Sequence, residues 1–363
     1  MAAWSFQRRS SRPVSVGDIT IGGGAPVSVQ GMTNTHTEDA EATLGQIRRM
    51  ADAGCEIARC AVPDKRAVAE LAEIREGSPI PLIADIHFQP ALALRAVEQG
   101  VDGVRVNPGN MKDEQGLRRV FEAAAARDIK VRIGVNSGSV RPRKGLEVDE
   151  TTEQAGQDMA ELMLAEALDC CRLAEDADFH NIVLSLKGSD VPTTMRAYRM
   201  AAERTDYALH VGVTAAGPPR DSIIKSSIGI GGLLAEGIGD TIRVSMTGPP
   251  EEEVRAGIRI LEAVGLRERS GPEIVSCPTC GRCHVDLAEM VEEVERRLKG
   301  MQSGITVAVM GCVVNGPGEA AEADVGLAGG KDGGFIFRSG KKVRKAASSD
   351  LIDALVEEVE KLH

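Results

Sequence analysis

The chain has 363 residues, 42% of them hydrophobic and 27% charged, with a formal net charge of −11. That length holds two or three average domains, or one large α/β barrel with an appendage, and its core can be buried without cross-links. The acidic balance, with only one Trp, two Tyr and six Phe, argues against a nucleic-acid binder, which needs stacking rings and a basic footprint.

Arg8, Arg9 and Arg12 lie near the start of the chain. A twin-arginine export signal would continue into an apolar stretch, but Val14–Gly24 is polar and glycine-rich, so no signal is expected. No run approaches the ~20 apolar residues of a membrane span. The expected compartment is the cytoplasm, where eight cysteines point to metal or catalysis rather than disulfides.

Eight β-branched runs then end in a polar residue and a turn. They are Pro26–Thr33, Cys55–Pro63, Ile80–His87, Gly103–Asn110, Val131–Ser139, Asn181–Asp190, Ala208–Gly217 and Thr241–Gly248. Helix patterns separate them, such as Leu44, Ile47, Met50 and Ala51 before Gly54, and Leu92, Leu94 and Val97 before Gly100. The spacing suits one strand and one crossover helix each, with a longer interval between the fifth and sixth. Eight βα units predict a closed (β/α)₈ TIM barrel with function at the C-terminal strand ends. An open doubly wound sheet would carry a dinucleotide fingerprint after its first strand, and none is present.

Alternation along these strands separates two faces. Ile242, Val244 and Met246 oppose Arg243, Ser245 and Thr247, and Val131, Ile133 and Val135 oppose Arg132, Gly134 and Asn136. Val104 and Val106 oppose Arg105 and Asn107, and Ile182, Leu184 and Leu186 oppose Ser185 and Lys187. The apolar set must meet the outer helices, so the polar set points inward, where an ordinary barrel places Val, Ile and Leu. Arg59, Asp85, His87 and His210 join the inward set. Burying several Arg and Lys without partners is prohibitive, and bases outnumber acids on this parity. A cationic cavity for an anion is expected, with phosphate favoured by arginine's bidentate fork; internal ion pairs are the alternative. The stretch Lys225–Gly232 reads as a phosphate loop or a tight turn.

Gly271-Pro272 marks a boundary between a barrel domain, 1–268, and a small α+β domain, 269–363. The second domain should hold a helix carrying Leu287, Met290, Val291, Val294 and Leu298, then a strand over Ile305–Met310. A terminal amphipathic helix opens at Ser348 or Ser349. Cys277-x-x-Cys280 can put two thiolates on one metal centre, and Cys283 extends the spacing to that of a bacterial ferredoxin run. Structural zinc uses paired knuckles, whereas Cys312 has no neighbouring Cys or His and sits in a Gly-Pro-Gly loop leading to Glu319. Spacing favours iron–sulfur, with zinc the alternative. Cys55, Cys60, Cys170 and Cys171 read as small buried hydrophobes.

From Arg8 to Arg344 the chain resembles the 4-hydroxy-3-methylbut-2-enyl diphosphate synthase family. The likeness rests on VQGMTNT (Val29–Thr35), ADIHF (Ala84–Phe88), RVNPGN (Arg105–Asn110), RIGVNSGS (Arg132–Ser139) and GIGDTIRVS (Gly237–Ser245). SCPTCGR (Ser276–Arg282) and MGCVVNGPGEA (Met310–Ala320) are its most specific parts. The resemblance implies an iron–sulfur oxidoreductase that opens and dehydroxylates 2-C-methyl-D-erythritol 2,4-cyclodiphosphate with two electrons. It implies a [4Fe–4S] cluster on Cys277, Cys280, Cys312 and Glu319, leaving Cys283 a bystander. It also implies ferredoxin or flavodoxin as electron donor and a head-to-tail homodimer in which one chain's cluster domain caps the other's barrel. Catalytic roles are expected of Glu319, Asp85 and Lys187, with Glu319 yielding its place to a substrate oxygen. Substrate contacts are expected from Arg59, Asp85, Arg105, Asn107, Arg132, Asn136, Lys187, His210, Arg243 and Ser245.

One departure stands out. After the seventh strand the family commonly has Thr-Glu-Ala-Gly, and here the chain has Thr214-Ala215-Ala216-Gly217. Asp85 or Asp190 are the candidates to replace that carboxylate. The rival functions are a zinc-bearing lyase or transferase on a phosphorylated substrate, and a non-catalytic cluster carrier, which would need no polar barrel interior.

Overall fold

The structure is a computed structural model that describes residues 7–140, 155–214, 217–269, 271–301, 304–312, 318 and 321–362. Glu319, Ala215 and Ala216 lie outside these residues. The chain forms two compact units, Met1–Arg267 and Glu268–His363.

The first unit begins with a hairpin of β1 (Val14–Val16) and β2 (Ile19–Ile21). Eight parallel strands follow: β3 (Ser28–Met32), β4 (Ile57–Ala61), β5 (Leu82–Ile86), β6 (Gly103–Val106), β7 (Lys130–Asn136), β8 (Ile182–Lys187), β9 (Ala208–Val211) and β10 (Thr241–Ile242). They close in chain order, with Thr241 of β10 paired to Ser28 of β3. This is the TIM barrel that the sequence predicts. Helices such as Ala40–Asp52 and Pro90–Glu98 pack on its outside through Ile47, Met50, Leu92 and Val97, in one core that also holds strand residues such as Cys60, Val104 and Leu184. Their ends follow local chemistry. Asp39 caps the first through the Ala42 N–H, Pro90 opens the second, and Gly54 and Gly100 take positive φ just beyond them.

The hairpin is absent from the predicted elements, because strands of three residues carry too little alternation to register. Val14, Val16 and Ile21 are buried with Ile57, Ile83, Val183 and Ala208, forming an apolar plug at the N-terminal end of the barrel strands. The opening arginines also turn out to be structural. Arg8 pairs with Asp240 at 3.2 Å, Arg9 donates to the Thr205 carbonyl at 3.2 Å, and Arg12 pairs with Asp206 at 2.8 Å. Among the described residues no helix is long and apolar enough to cross a membrane.

Two expectations fail here. The stretch Lys225–Gly232 is neither a phosphate loop nor a tight turn. It lies in helix, running from Pro219–Ser226 through one wide turn, Ser227–Gly231, into Gly232–Ala235. Its glycines permit close packing: a Cβ on Gly229 would lie 2.8 Å from Val213, and one on Gly232 would lie 2.9 Å from Met195. Asp190 is no replacement acid either. Its carboxylate accepts the Thr193 N–H at 2.7 Å and caps helix Val191–Arg204.

The second unit is one five-stranded sheet in the order β11 (Glu273–Ser276), β12 (Thr306–Met310), β13 (Val325–Gly330), β14 (Gly333–Arg338), β15 (Lys341–Ala346). β11, β12 and β13 run parallel, and β14 and β15 are antiparallel additions. Helices Leu287–Leu298 and Leu351–Glu360 share a core with the sheet through Leu287, Val294, Val307, Leu327, Leu355 and Val359. Both helices and β12 match the sequence pattern; the other strands do not emerge from it. Glycines interrupt β13 and β14, and β15 is an exposed, lysine-rich edge of the kind that resists edge-to-edge pairing.

Candidate active site

Parallel register and barrel shear stack the inward side chains in tiers drawn from alternate strands. Reading toward the C-terminal ends, one tier holds Gln30, Ile83, Arg132 and His210, and the next holds Arg59, Arg105, Ser185 and Arg243. Met32, Asp85, Gly134 and Gly212 follow, then Ala61, Asn107, Lys187 and Ser245. Arg59, Asp85, Arg105, Asn107, Arg132, Lys187 and His210 are all buried. Arg243, Asn136 and Ser245 are half-buried.

Asp85 is the hub. Arg105 donates to it at 3.1 Å, Arg59 lies 3.7 Å away, and His87 Nε2 lies 3.5 Å away. Burial pushes the Asp85 carboxyl up, but Arg59 and Arg105 outweigh burial and hold it well below the usual carboxylate range. Asp85 is therefore a counter-charge at neutral pH and not a proton donor. Arg105 also donates to the Gly134 carbonyl at 2.9 Å, and Arg132 donates to Gln30 Oε1 at 2.5 Å. Two glycines make room for the bases. A Cβ on Gly134 would lie 2.6 Å from Arg105 Nε, and one on Gly212 would lie 2.5 Å from Lys187 Nζ.

The interior bases remain in surplus. Burial, then neighbouring arginines, push Lys187 and Arg132 well below their usual ranges. Burial and the adjacent bases also bring Arg59 down to about 9 despite Asp85. His210 is pushed down by burial, then by Arg132 and Lys187, so it is neutral. Such a cage is electrostatically strained alone and relaxed by an anion. Beside it, a cleft of about 220 Å³ is bounded by Ala61, Asp85, His87 and Phe88.

Three residues here escape the sequence pattern. Glu253 pairs with Arg243 at 2.9 Å and accepts the Met246 N–H at 3.0 Å. β10 is far shorter than predicted, although the Arg243 N–H still donates to the Val211 carbonyl of β9 at 3.0 Å. Nothing local marks Glu253, which sits on helix Pro250–Ala263. Gln30 and Lys130 were findable, because each lies on the inward parity of its strand. The predicted fifth strand starts one residue too late to include Lys130. Asn107 and Asn136 are tied together through Ser139: Asn107 Nδ2 donates to Ser139 Oγ at 3.1 Å, and Asn136 shares a reciprocal cap with it.

In the second unit, parallel pairing of Ser276 with Val309 puts the C-terminal ends of β11 and β12 side by side. Cys277 follows one strand, and Gly311 and Cys312 follow the other. The Gly311 N–H donates to Cys277 Sγ at 3.4 Å. Cys312 is buried and Cys280 exposed, and the Arg282 backbone N–H and side chain lower the Cys280 thiol. Among the described residues no three His, Cys, Asp or Glu are gathered closely enough to hold a metal ion, and Glu319 lies outside them. The donor chemistry suits a thiolate-bound cluster: soft sulfur ligands on two adjacent loops, with an amide already directed at one sulfur.

The family model of the GcpE TIM-barrel domain matches residues 11–258, and that of the GcpE protein C-terminal domain matches 273–361. The chain belongs to the GcpE family. It is 52% identical over 355 residues to a Geobacter sulfurreducens protein, covering 98% of each chain. It is 48% identical to one from Clostridium perfringens, covering 98% of this chain and 99% of the relative, and 49% identical to one from Aquifex aeolicus, covering 98% of each. All three are named 4-hydroxy-3-methylbut-2-en-1-yl diphosphate synthase (flavodoxin). Among solved structures, a Yersinia pestis dihydropteroate synthase aligns at 16% identity and TM-score 0.48, over 70% of this chain and 98% of its own. GcpE-family proteins are iron–sulfur oxidoreductases that reductively convert the cyclic diphosphate to the allylic diphosphate of isoprenoid biosynthesis, and this chain is an enzyme of that class.

Cys283 is half-buried. Its thiol donates to the Val285 carbonyl at 3.2 Å, and it crowds Gly311, which has no room for a side chain beside it. Cys283→Ser is expected to leave iron content unchanged, with a stability loss of about 1 kcal/mol. Iron and sulfide analysis of the anaerobically purified variant checks this; loss of iron would make Cys283 a ligand.

Proposed function

We propose that this GcpE-family chain holds the cyclic diphosphate in its cationic barrel and reduces it through a [4Fe–4S] cluster on Cys277, Cys280, Cys312 and Glu319. When bound, the cluster supplies the two electrons that C–O cleavage requires. Flavodoxin, named with the relatives, is the proposed donor, and ferredoxin could fill the same role. A head-to-tail homodimer in the cytoplasm completes the proposal.

The observation that carries it is the barrel's charge: Arg59, Arg105, Arg132, Lys187 and Arg243 face inward against the carboxylates of Asp85 and Glu253. Arg105, Arg132, Lys187 and Arg243 bind the diphosphate and neutralise the charge that develops as the ring opens. Asp85 orients Arg59, Arg105 and His87. Asn107, Asn136, His210 and Ser245 offer neutral hydrogen bonds that set the ligand's orientation. The buried cage excludes water, which strengthens each of these interactions. A zinc lyase is less well supported, since structural zinc takes two paired knuckles and Cys312 has no neighbouring Cys or His.

Lys187 reaches over Gly212 and, among the described residues, has no carboxylate partner. Lys187→Met is expected to lower kcat/KM by roughly 10²- to 10³-fold, since unpairing a buried charge contact costs about 2–5 kcal/mol. Anaerobic turnover of the cyclodiphosphate, with iron quantified alongside, tests the whole proposal. An iron-free protein, or one with unaltered turnover after Lys187→Met, would overturn it.

A further inference from the structure

Lys130 has no part in the chemistry just described. It opens β7 on the inward parity, two residues below Arg132, and is completely buried. Its stem lies on Gly103, where a Cβ would come within 2.8 Å of Lys130 Cγ. Below it lies the apolar plug of Val14, Val16, Ile21, Ile57, Ile83 and Val183. Among the described residues its Nζ has no hydrogen-bond partner, and neither do the equally buried Gln30 Nε2, Ser28 Oγ, Thr241 Oγ1 and both His210 ring nitrogens.

The charged and titratable groups facing Lys130 are few. Arg132 stands on its own strand, Arg59 on β4 and His210 on β9. Asp102, just before β6, is the only acid among them in the described residues, and it is committed to Arg75 and the Leu82 N–H. The inward residues of β1, β2, β5 and β8 at this level are apolar, and those of β3 and β10 are neutral. Burial, then Arg132 and Arg59, push the amine well below the usual lysine range. An amine in that setting is neutral until the field above it changes sign.

We propose that binding of a diphosphate in the tiers above draws one proton from solvent onto the Lys130 amine. The inference rests on the cage being the diphosphate site. A polyanion reverses the repulsion from Arg132 and Arg59, and the new ammonium in turn attracts the anion, because linkage is reciprocal. Affinity then falls as pH rises between the free and liganded pKa values of Lys130, by up to about tenfold per pH unit for one proton. Below that window the amine is already charged, and above it the amine stays neutral even with ligand bound, so the dependence vanishes on both sides.

The test is calorimetric titration of the full-length, cluster-loaded protein with inorganic diphosphate, in buffers of differing ionisation enthalpy and across pH. Wild-type protein is expected to take up protons on binding. Lys130→Met and Lys130→Gln are expected to take up about one proton fewer and to show a flatter affinity profile. The ligand's own titration cancels in that comparison. Methionine removes a buried, unpartnered amine, so that variant should melt no lower than wild type, and glutamine provides a second polar replacement. Binding with unchanged proton uptake in both variants would move the proton to Lys187 or His210 and overturn this inference alone. Failure of wild-type protein to bind diphosphate would overturn the reading beneath it as well.

Discussion

Cys312→Ser is expected to bleach the protein, remove most of its iron and lower turnover by more than ~100-fold, since losing even an outer-shell partner of a metal ligand costs 10–100-fold. Cys312 is buried directly after β12, and the β11–β12 register sets it beside the loop that carries Cys277. A serine hydroxyl is a harder donor than thiolate and a poor substitute on cluster iron. The barrel is a separate compact unit with its own core, so binding of inorganic diphosphate should survive the change. Anaerobic iron analysis and electron paramagnetic resonance, paired with calorimetry of diphosphate binding, read the two properties separately. Full iron and full turnover in the variant would remove Cys312 from the ligand set.

Asp85→Asn is expected to be the most destabilising single change in the barrel interior. It leaves Arg59, Arg105 and His87 facing one another without their shared carboxylate. Breaking a buried ion pair by removing one partner costs about 3–5 kcal/mol. In a unit of this size the melting temperature should drop by roughly 10 °C. Added diphosphate should recover part of the loss, because an anion in the cage replaces the missing charge and stabilises the folded state by mass action. The pH dependence has a definite sign. The folded Asp85 carboxyl lies below its unfolded value, so its stabilisation is complete above the ordinary carboxylate pKa of about 4 and is lost as pH falls through the lower folded value. The variant should therefore have a flatter acid limb than wild type. Thermal melts at neutral and acid pH, with and without diphosphate, check both statements, and a variant that melts like wild type would show that the arginines find other partners.

Much of this was legible in the chain. The eight barrel strands were visible because each is a β-branched run with a period of two, and the same period separated the outward Val131, Ile133 and Val135 from the inward Arg132, Gly134 and Asn136. Polar residues at inward barrel positions are costly to bury, so their presence signalled a binding cavity even under a net charge of −11. The negative charge covers the outside, while the positive surplus is gathered within. The cysteine spacing likewise marked the two loops of the second unit.

What stayed illegible depends on contacts between distant segments or on elements too short to show a period. The β1–β2 hairpin is recognisable only once Ile57, Ile83, Val183 and Ala208 form the floor that it seals. β13, β14 and β15 hold together through their register, which no local pattern in glycine- and lysine-rich segments specifies. The Gly/Ser stretch read as a loop, yet Val213 and Met195 press against its glycines and favour a tightly packed helix.

Which residues face inward, and what chemistry they bring, follows from the chain alone, because alternation along a strand is a local property of the backbone. How those charges are balanced is settled only when the barrel closes. Asp85 became the shared partner of two arginines, Glu253 reached Arg243 from a helix, and Lys130 was left, among the described residues, without a hydrogen-bond partner between an apolar plug and a ring of cations. Those outcomes depend on barrel shear, which sets which side chains share a tier, and shear is a property of the closed sheet rather than of any one strand.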